Sequence, residues 1–199
     1  MRRWANLVSY ALHPAIMPLM GFGFLLQLHP FPVEREVLIY TTLFLLTGTY
    51  MLPGFISLLL QQMGLIPSLK MEEASARRWP FIIGFLFYLF TSIYLRSFPI
   101  PQETGRYIMG AAVSIGMLTV LLPYTKASAH MAGVGGLLAL VFFISDAYGV
   151  DLLIYQTAGL LMCGAVGSAR LALNAHTNTE IVLGFLCGFG GTSFALYFL

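Results

Sequence analysis

His176 and Glu180 stand four residues apart in the segment 168–180, S-A-R-L-A-L-N-A-H-T-N-T-E. At helical spacing the two side chains share a face. A carboxylate placed there accepts one ring N–H of the imidazole and leaves the other nitrogen with its lone pair outward. An imidazole held in that tautomer is a nucleophile or a base. Arg170, six residues upstream, supplies a cation that can hold an oxyanion beside that nitrogen. The competing reading of this stretch alone is bland. Polar residues at the end of a membrane span commonly serve as interfacial anchors.

Two further polar knots precede it. The first is Lys70-Met-Glu-Glu-Ala-Ser-Ala-Arg-Arg-Trp-Pro80, the densest charge cluster of the chain. Lys70 and Arg77 are seven residues apart, two helical turns, and so can point the same way. Taken by itself this knot reads as an interfacial loop with Trp79 in the aromatic belt. The second knot, Lys126-Ala-Ser-Ala-His130, stands directly before an apolar run.

The elements that must position these knots follow from composition. The chain has 199 residues, 58% of them hydrophobic and 9% charged, with a net charge of +2. Soluble domains carry about 25% charged residues, so this chain lacks the polar mass to cover a water-facing surface. Apolar stretches near 20 residues predict membrane-spanning helices, not the short alternating strands of a barrel. The expected fold is all-α, a polytopic bundle of six or seven spans forming one integral membrane domain over 1–199. No basic patch with interleaved aromatics points to nucleic acid. Cys163 and Cys187 fall inside apolar runs and read as small core hydrophobes.

The first span is expected at about 7–26, kinked at Pro14 and Pro18. Those prolines, with His13 and the lack of a small-residue cleavage site, mark it as retained and not a leader. His13 itself reads as a neutral packing histidine. The second span starts near Val37 and is long or runs into an interfacial segment. The others are expected at about 80–95, 107–124, from His130 to about Asp146, from Leu152 to about 168–173, and 181–199. Glycines in the fifth and seventh suit close helix approach.

Parity then brings the knots together. They follow the second, fourth and sixth spans, so each is separated from the next by two crossings and all three share one membrane face. Seven of the ten Lys/Arg residues fall on that side. A face with five knot cations, His130 and His176 suits phosphoryl transfer: cations neutralise non-bridging oxygens, one histidine attacks phosphorus, and the other protonates the leaving oxygen.

The three knots, in order and spacing, resemble the motifs of the type 2 phosphatidic acid phosphatase (PAP2) superfamily, which read K-x6-R-P, P-S-G-H and S-R-x5-H-x3-D. Here Lys70 and Arg77 match the first, with Arg78-Trp79-Pro80 in place of the immediate proline. Ala127 to His130 match the second through Ser128 and His130. Arg170, His176 and Glu180 match the third in spacing, with Glu for Asp and Ala169 where serine is usual. The resemblance implies a PAP2-like core over about 37–199 and a phosphatase acting on a lipid phosphate or prenyl diphosphate in the membrane. It implies His176 as nucleophile, Glu180 as its orienting carboxylate, and His130 as acid and then base. Lys70, Arg77 and Arg170 would bind phosphoryl oxygens, helped by the Ser128 hydroxyl and the Ala129 N–H. No metal or other cofactor is implied. Likeness to bacterial lipid phosphatases implies an inner-membrane protein with its site facing outward.

Two other functions are open at this point. One is a catalytically weak or inactive protein of the same fold that binds or moves an anionic lipid. The other is a small transporter whose Asp146, His13 and His130 mark an ion path.

Overall fold

A computed structural model describes residues 2–28, 32–68 and 73–199. Every regular element among them is helical, as an apolar chain requires when no water is present to satisfy its backbone. The chain opens with α1 (Arg2–Ala11), a short 3₁₀ turn at Pro14–Ile16, and α2 (Met17–Leu28). Then α3 (Arg35–Leu46) and α4 (Leu52–Gln62) are joined by a π turn at Thr47–Met51. There follow α5 (Ala74–Leu95), α6 (Gln102–Leu121), α7 (Ala129–Tyr148), α8 (Leu153–Ala172) and α9 (Asn178–Phe198).

Among the described residues, six stretches are long and apolar enough to cross a membrane: Arg2–Leu28, Arg35–Gln62, Ala76–Leu95, Gln102–Leu121, Ala129–Tyr148 and Asn178–Phe198. The chain is an integral membrane protein by that measure. α8 has the length of a span, about 30 Å for its 20 residues, but Gln156 and Arg170 lower its apolar character. It runs antiparallel to α7, with Gly159 against Leu138 and Gly167 against Met131. It therefore returns the chain to the end of the bundle where α7 begins.

Two expectations change. The sequence places the third span from Pro80, but α5 begins at Ala74, so Pro80 lies inside the helix and Arg77 rides on its first turns. Proline is tolerated there because neighbouring groups re-satisfy the freed carbonyl. The first span is not merely kinked. His13 and Pro14 break it, and α1 and α2 are separate helices.

Capping explains where the helices start and stop. Ser128 is the N-cap of α7, its hydroxyl accepting the Met131 N–H at 3.4 Å, and Gly149 ends the helix at φ +62°. α8 closes with Asn174 at φ +52°, one of the few side chains that tolerates this region. Ala175 N–H then donates to the Arg170 carbonyl and Asn174 N–H to that of Leu171, the hydrogen-bond pattern of a Schellman turn. Two residues later Thr177 and Glu180 form a reciprocal capping box that starts α9. This turn carries His176.

α7 is the most buried helix and packs closely on α9 along a line of small residues. Gly184 lies against the Ser128 backbone and Gly188 against that of Ala132. A methyl at Gly188 has no space to enter without moving the α7 backbone. Gly190, on the same helix, has nothing within 4 Å of an added Cβ. Gly188→Ala is therefore expected to destabilise the fold by about 1–3 kcal/mol or more, while Gly190→Ala is near neutral or stabilising. Thermal unfolding of the two variants in one detergent checks this; equal midpoints would refute the close α7–α9 packing.

Candidate active site

The N-terminus of α7, the first turns of α5, the turn after α8 and the break between α1 and α2 meet at one end of the bundle. Between them lies a cavity of about 450 Å³. Its wall includes Arg77, Ala129, His130, Arg170 and His176, and also His13. Residues from all three knots are thus brought together, as the parity of the spans predicts. Lys70 lies outside the described residues.

His176 is 7% exposed. Its Nδ1 donates to the Lys126 carbonyl at 3.0 Å, so in the neutral ring Nε2 keeps the lone pair. The structure adds a second acceptor to the one the sequence predicts. Glu180 lies 3.4 Å from the same Nδ1, but the shorter hydrogen bond is made by a backbone carbonyl. The Glu180 carboxylate accepts the Thr177 N–H at 2.9 Å in the capping box. Glutamate has the reach for both contacts, and aspartate is one methylene shorter.

Burial, then the charges of Arg77 and Arg170, push the His176 pKa down to about 4, with Glu180 opposing and Lys126 adding to the fall. The sign follows. Between about 4 and the ordinary 6.5 the unfolded chain holds a proton that the folded chain does not, so this histidine makes stability rise with pH through that window. Its unprotonated form also persists well below the ordinary histidine range. The acid limb of kcat/KM owed to His176 is expected near 4; a limb near 6.5 that disappears on replacing His176 would overturn this assignment.

His130 is the second residue of α7. Its Nε2 donates to the Ser9 carbonyl at 3.2 Å, which leaves Nδ1 as the nitrogen free to exchange a proton. Arg170 sits in the last turn of α8. Its Nη1 donates to Ser9 Oγ at 3.3 Å, while its buried Nε has no hydrogen-bond partner among the described residues. A buried guanidinium N–H without an acceptor is costly. Arg77, buried on α5, donates to the Ala127 carbonyl at 3.5 Å, which ties the first knot to the second.

Ser128 departs from its expected role. It is fully buried, its hydroxyl caps α7, and it is not part of the cavity wall. The adjacent Ala129 is on the wall and stands in the first turn, where backbone N–H groups lack intrahelical acceptors. Asp146 is not part of this site: it lies sixteen residues along α7 from His130, about 24 Å, and accepts a hydrogen bond from Tyr197 at 3.0 Å. His13 packs, and it packs on the cavity wall. Its ring meets His130 edge to face with centroids 5.3 Å apart. Ser9, also unforeseen, holds both His130 and Arg170.

From this polar end the cavity runs down the bundle. Arg77, Phe81, Gly84 and Tyr88 line it along one stripe of α5, and Ala111, Ser114 and Leu118 along one of α6. Arg77 to Tyr88 is eleven residues, about 16 Å of depth. The π turn adds Thr49 to the wall, hydrogen-bonded to Tyr88; such turns re-aim side chains by inserting a residue into the helix. The space is ionic at one end and mostly apolar and aromatic at the other.

Comparison with protein-family models, with curated proteins and with solved structures finds no match.

Proposed function

We propose that the protein is an integral membrane phosphatase of PAP2 type that hydrolyses a lipid phosphate or diphosphate monoester through a phosphohistidine. The observation that carries this reading is the pairing, on one cavity wall, of His176 with its Nε2 lone pair unencumbered and Arg170 with an unpartnered buried N–H. That is a nucleophile beside an oxyanion holder. The long apolar continuation of the cavity favours a substrate with a hydrocarbon tail.

In the first step His176 Nε2 forms a bond to phosphorus as the bond from phosphorus to the leaving oxygen breaks. His130, protonated on both nitrogens, keeps Nε2–H on the Ser9 carbonyl and gives its Nδ1 proton to that oxygen. In the second step neutral His130 takes a proton from water at Nδ1. The water oxygen attacks phosphorus, the N–P bond breaks, and phosphate leaves. Arg77 and Arg170, with Lys70 by resemblance, neutralise the non-bridging oxygens. We place the protein in a bacterial inner membrane with the site facing outward, on the same resemblance.

The test is phosphate release by the purified protein from phosphatidic acid, phosphatidylglycerol phosphate, a prenyl diphosphate and lipid A, with and without EDTA. Release from at least one, insensitive to chelator, is expected, because the cations take the place of a metal. A second reading, a lipid-binding protein of weak or no activity, draws on Ser128 being fully buried and absent from the cavity wall. It predicts lipid binding without release.

A further inference from the structure

The first helix and its break lie outside all three motifs, yet they reach into the cavity. Ser9 is buried, its Oγ accepting from Arg170 and its carbonyl from His130. Four residues on, His13 caps the 3₁₀ turn, its Nδ1 accepting the Ala15 N–H at 3.3 Å. That bond decides the tautomer. A neutral imidazole that accepts at Nδ1 carries its hydrogen on Nε2. His13 Nε2 has no hydrogen-bond partner among the described residues, and the ring lies on the cavity wall against His130.

We infer that His13 is a third imidazole of the site, a fixed hydrogen-bond donor whose Nε2–H binds an oxygen of a tetrahedral oxyanion, the phosphoryl group of the substrate. This rests on the phosphatase reading and extends it. The three rings then divide the work by tautomer. His176 offers a lone pair at Nε2, His130 exchanges a proton at Nδ1, and His13 donates from Nε2. No two do the same job, and each assignment follows from a different backbone group: the Lys126 carbonyl, the Ser9 carbonyl and the Ala15 N–H. Arg170, anchored by Ser9, and His13 thus both depend on the first helix for their placement beside the anion.

The experiment is titration of the full-length protein in detergent with orthovanadate, read as direct binding by calorimetry. The proteins are wild type, His13→Ala and His13→Gln, with thermal midpoints recorded for each. His13→Ala is expected to bind about tenfold more weakly, the loss of one hydrogen bond to a charged acceptor. Gln presents an amide N–H in place of the ring donor and is expected to recover most of the affinity. A structural role alone would lower the thermal midpoint without this rescue pattern. If His13→Ala binds vanadate as tightly as wild type, or if Gln and Ala are equally weak at equal midpoints, the inference is overturned. If wild type itself does not bind vanadate, the anion-site reading beneath it fails instead.

Discussion

Replacing His176 with alanine is expected to abolish phosphate release from every substrate, whatever its leaving group, because on the proposed mechanism no N–P bond can form without the ring. Replacing His130 does something different. Its Nδ1 proton matters most when the departing group is a lipid alkoxide of high pKa, and little when a p-nitrophenolate leaves unaided. His130→Ala is therefore expected to slow the first step, read as release of the leaving group in a single turnover, by about 10²–10⁴-fold on a lipid phosphate and much less on p-nitrophenyl phosphate, while the water step slows alike for both. The ratio of the two losses is the diagnostic quantity. Equal losses for both variants on both substrates would reject this division of labour.

The second large effect is expected at Arg170. Arg170→Ala removes a guanidinium on the cavity wall whose buried Nε has no hydrogen-bond partner among the described residues. Losses of about 10²–10³ in kcat are typical for a single donor of that kind. Arg170→Lys is expected to restore little, since an ammonium lacks the planar fork that engages Ser9 Oγ and an anion together. Steady-state kinetics with phosphatidic acid, alongside vanadate inhibition, measures both. A loss below threefold for Arg170→Ala would mean that the anion is held elsewhere.

Much of this arrangement is legible in the sequence. The counting of spans placed Arg77, His130, Arg170 and His176 at one end of the bundle, because two crossings return a chain to the same face whatever the helix tilts. Local spacing was a poorer guide to hydrogen bonds. His176 and Glu180 do sit four apart on one side, but the better acceptor for His176 is the Lys126 carbonyl, fifty residues away. Ser128 was read as an oxyanion donor, yet a serine just before an apolar run is also an N-cap signal, and the cap is what the structure holds.

Ser9, and the contact of His13 with His130, are not legible in the sequence for a clearer reason. Their partners, His130 and Arg170, are more than a hundred residues away, and no periodicity encodes such contacts. The one signal was His13-Pro14 itself: a histidine at a predicted helix break has a backbone turn to cap and a ring that the helix no longer dictates. The π turn at Thr47–Met51 left no sequence mark beyond the Thr-Gly-Thr run.

The central claim is a covalent phosphohistidine on His176, and trapping it is the most direct test. Wild-type protein mixed with substrate carrying labelled phosphorus, quenched within the turnover time under alkali to protect the acid-labile N–P bond, is digested and mapped by mass spectrometry. The account predicts one labelled phosphoryl group on the peptide containing His176, absent from His176→Ala and accumulating in His130→Ala when p-nitrophenyl phosphate is the donor. Phosphate release with no label on the protein, or label on a residue other than His176, would contradict it.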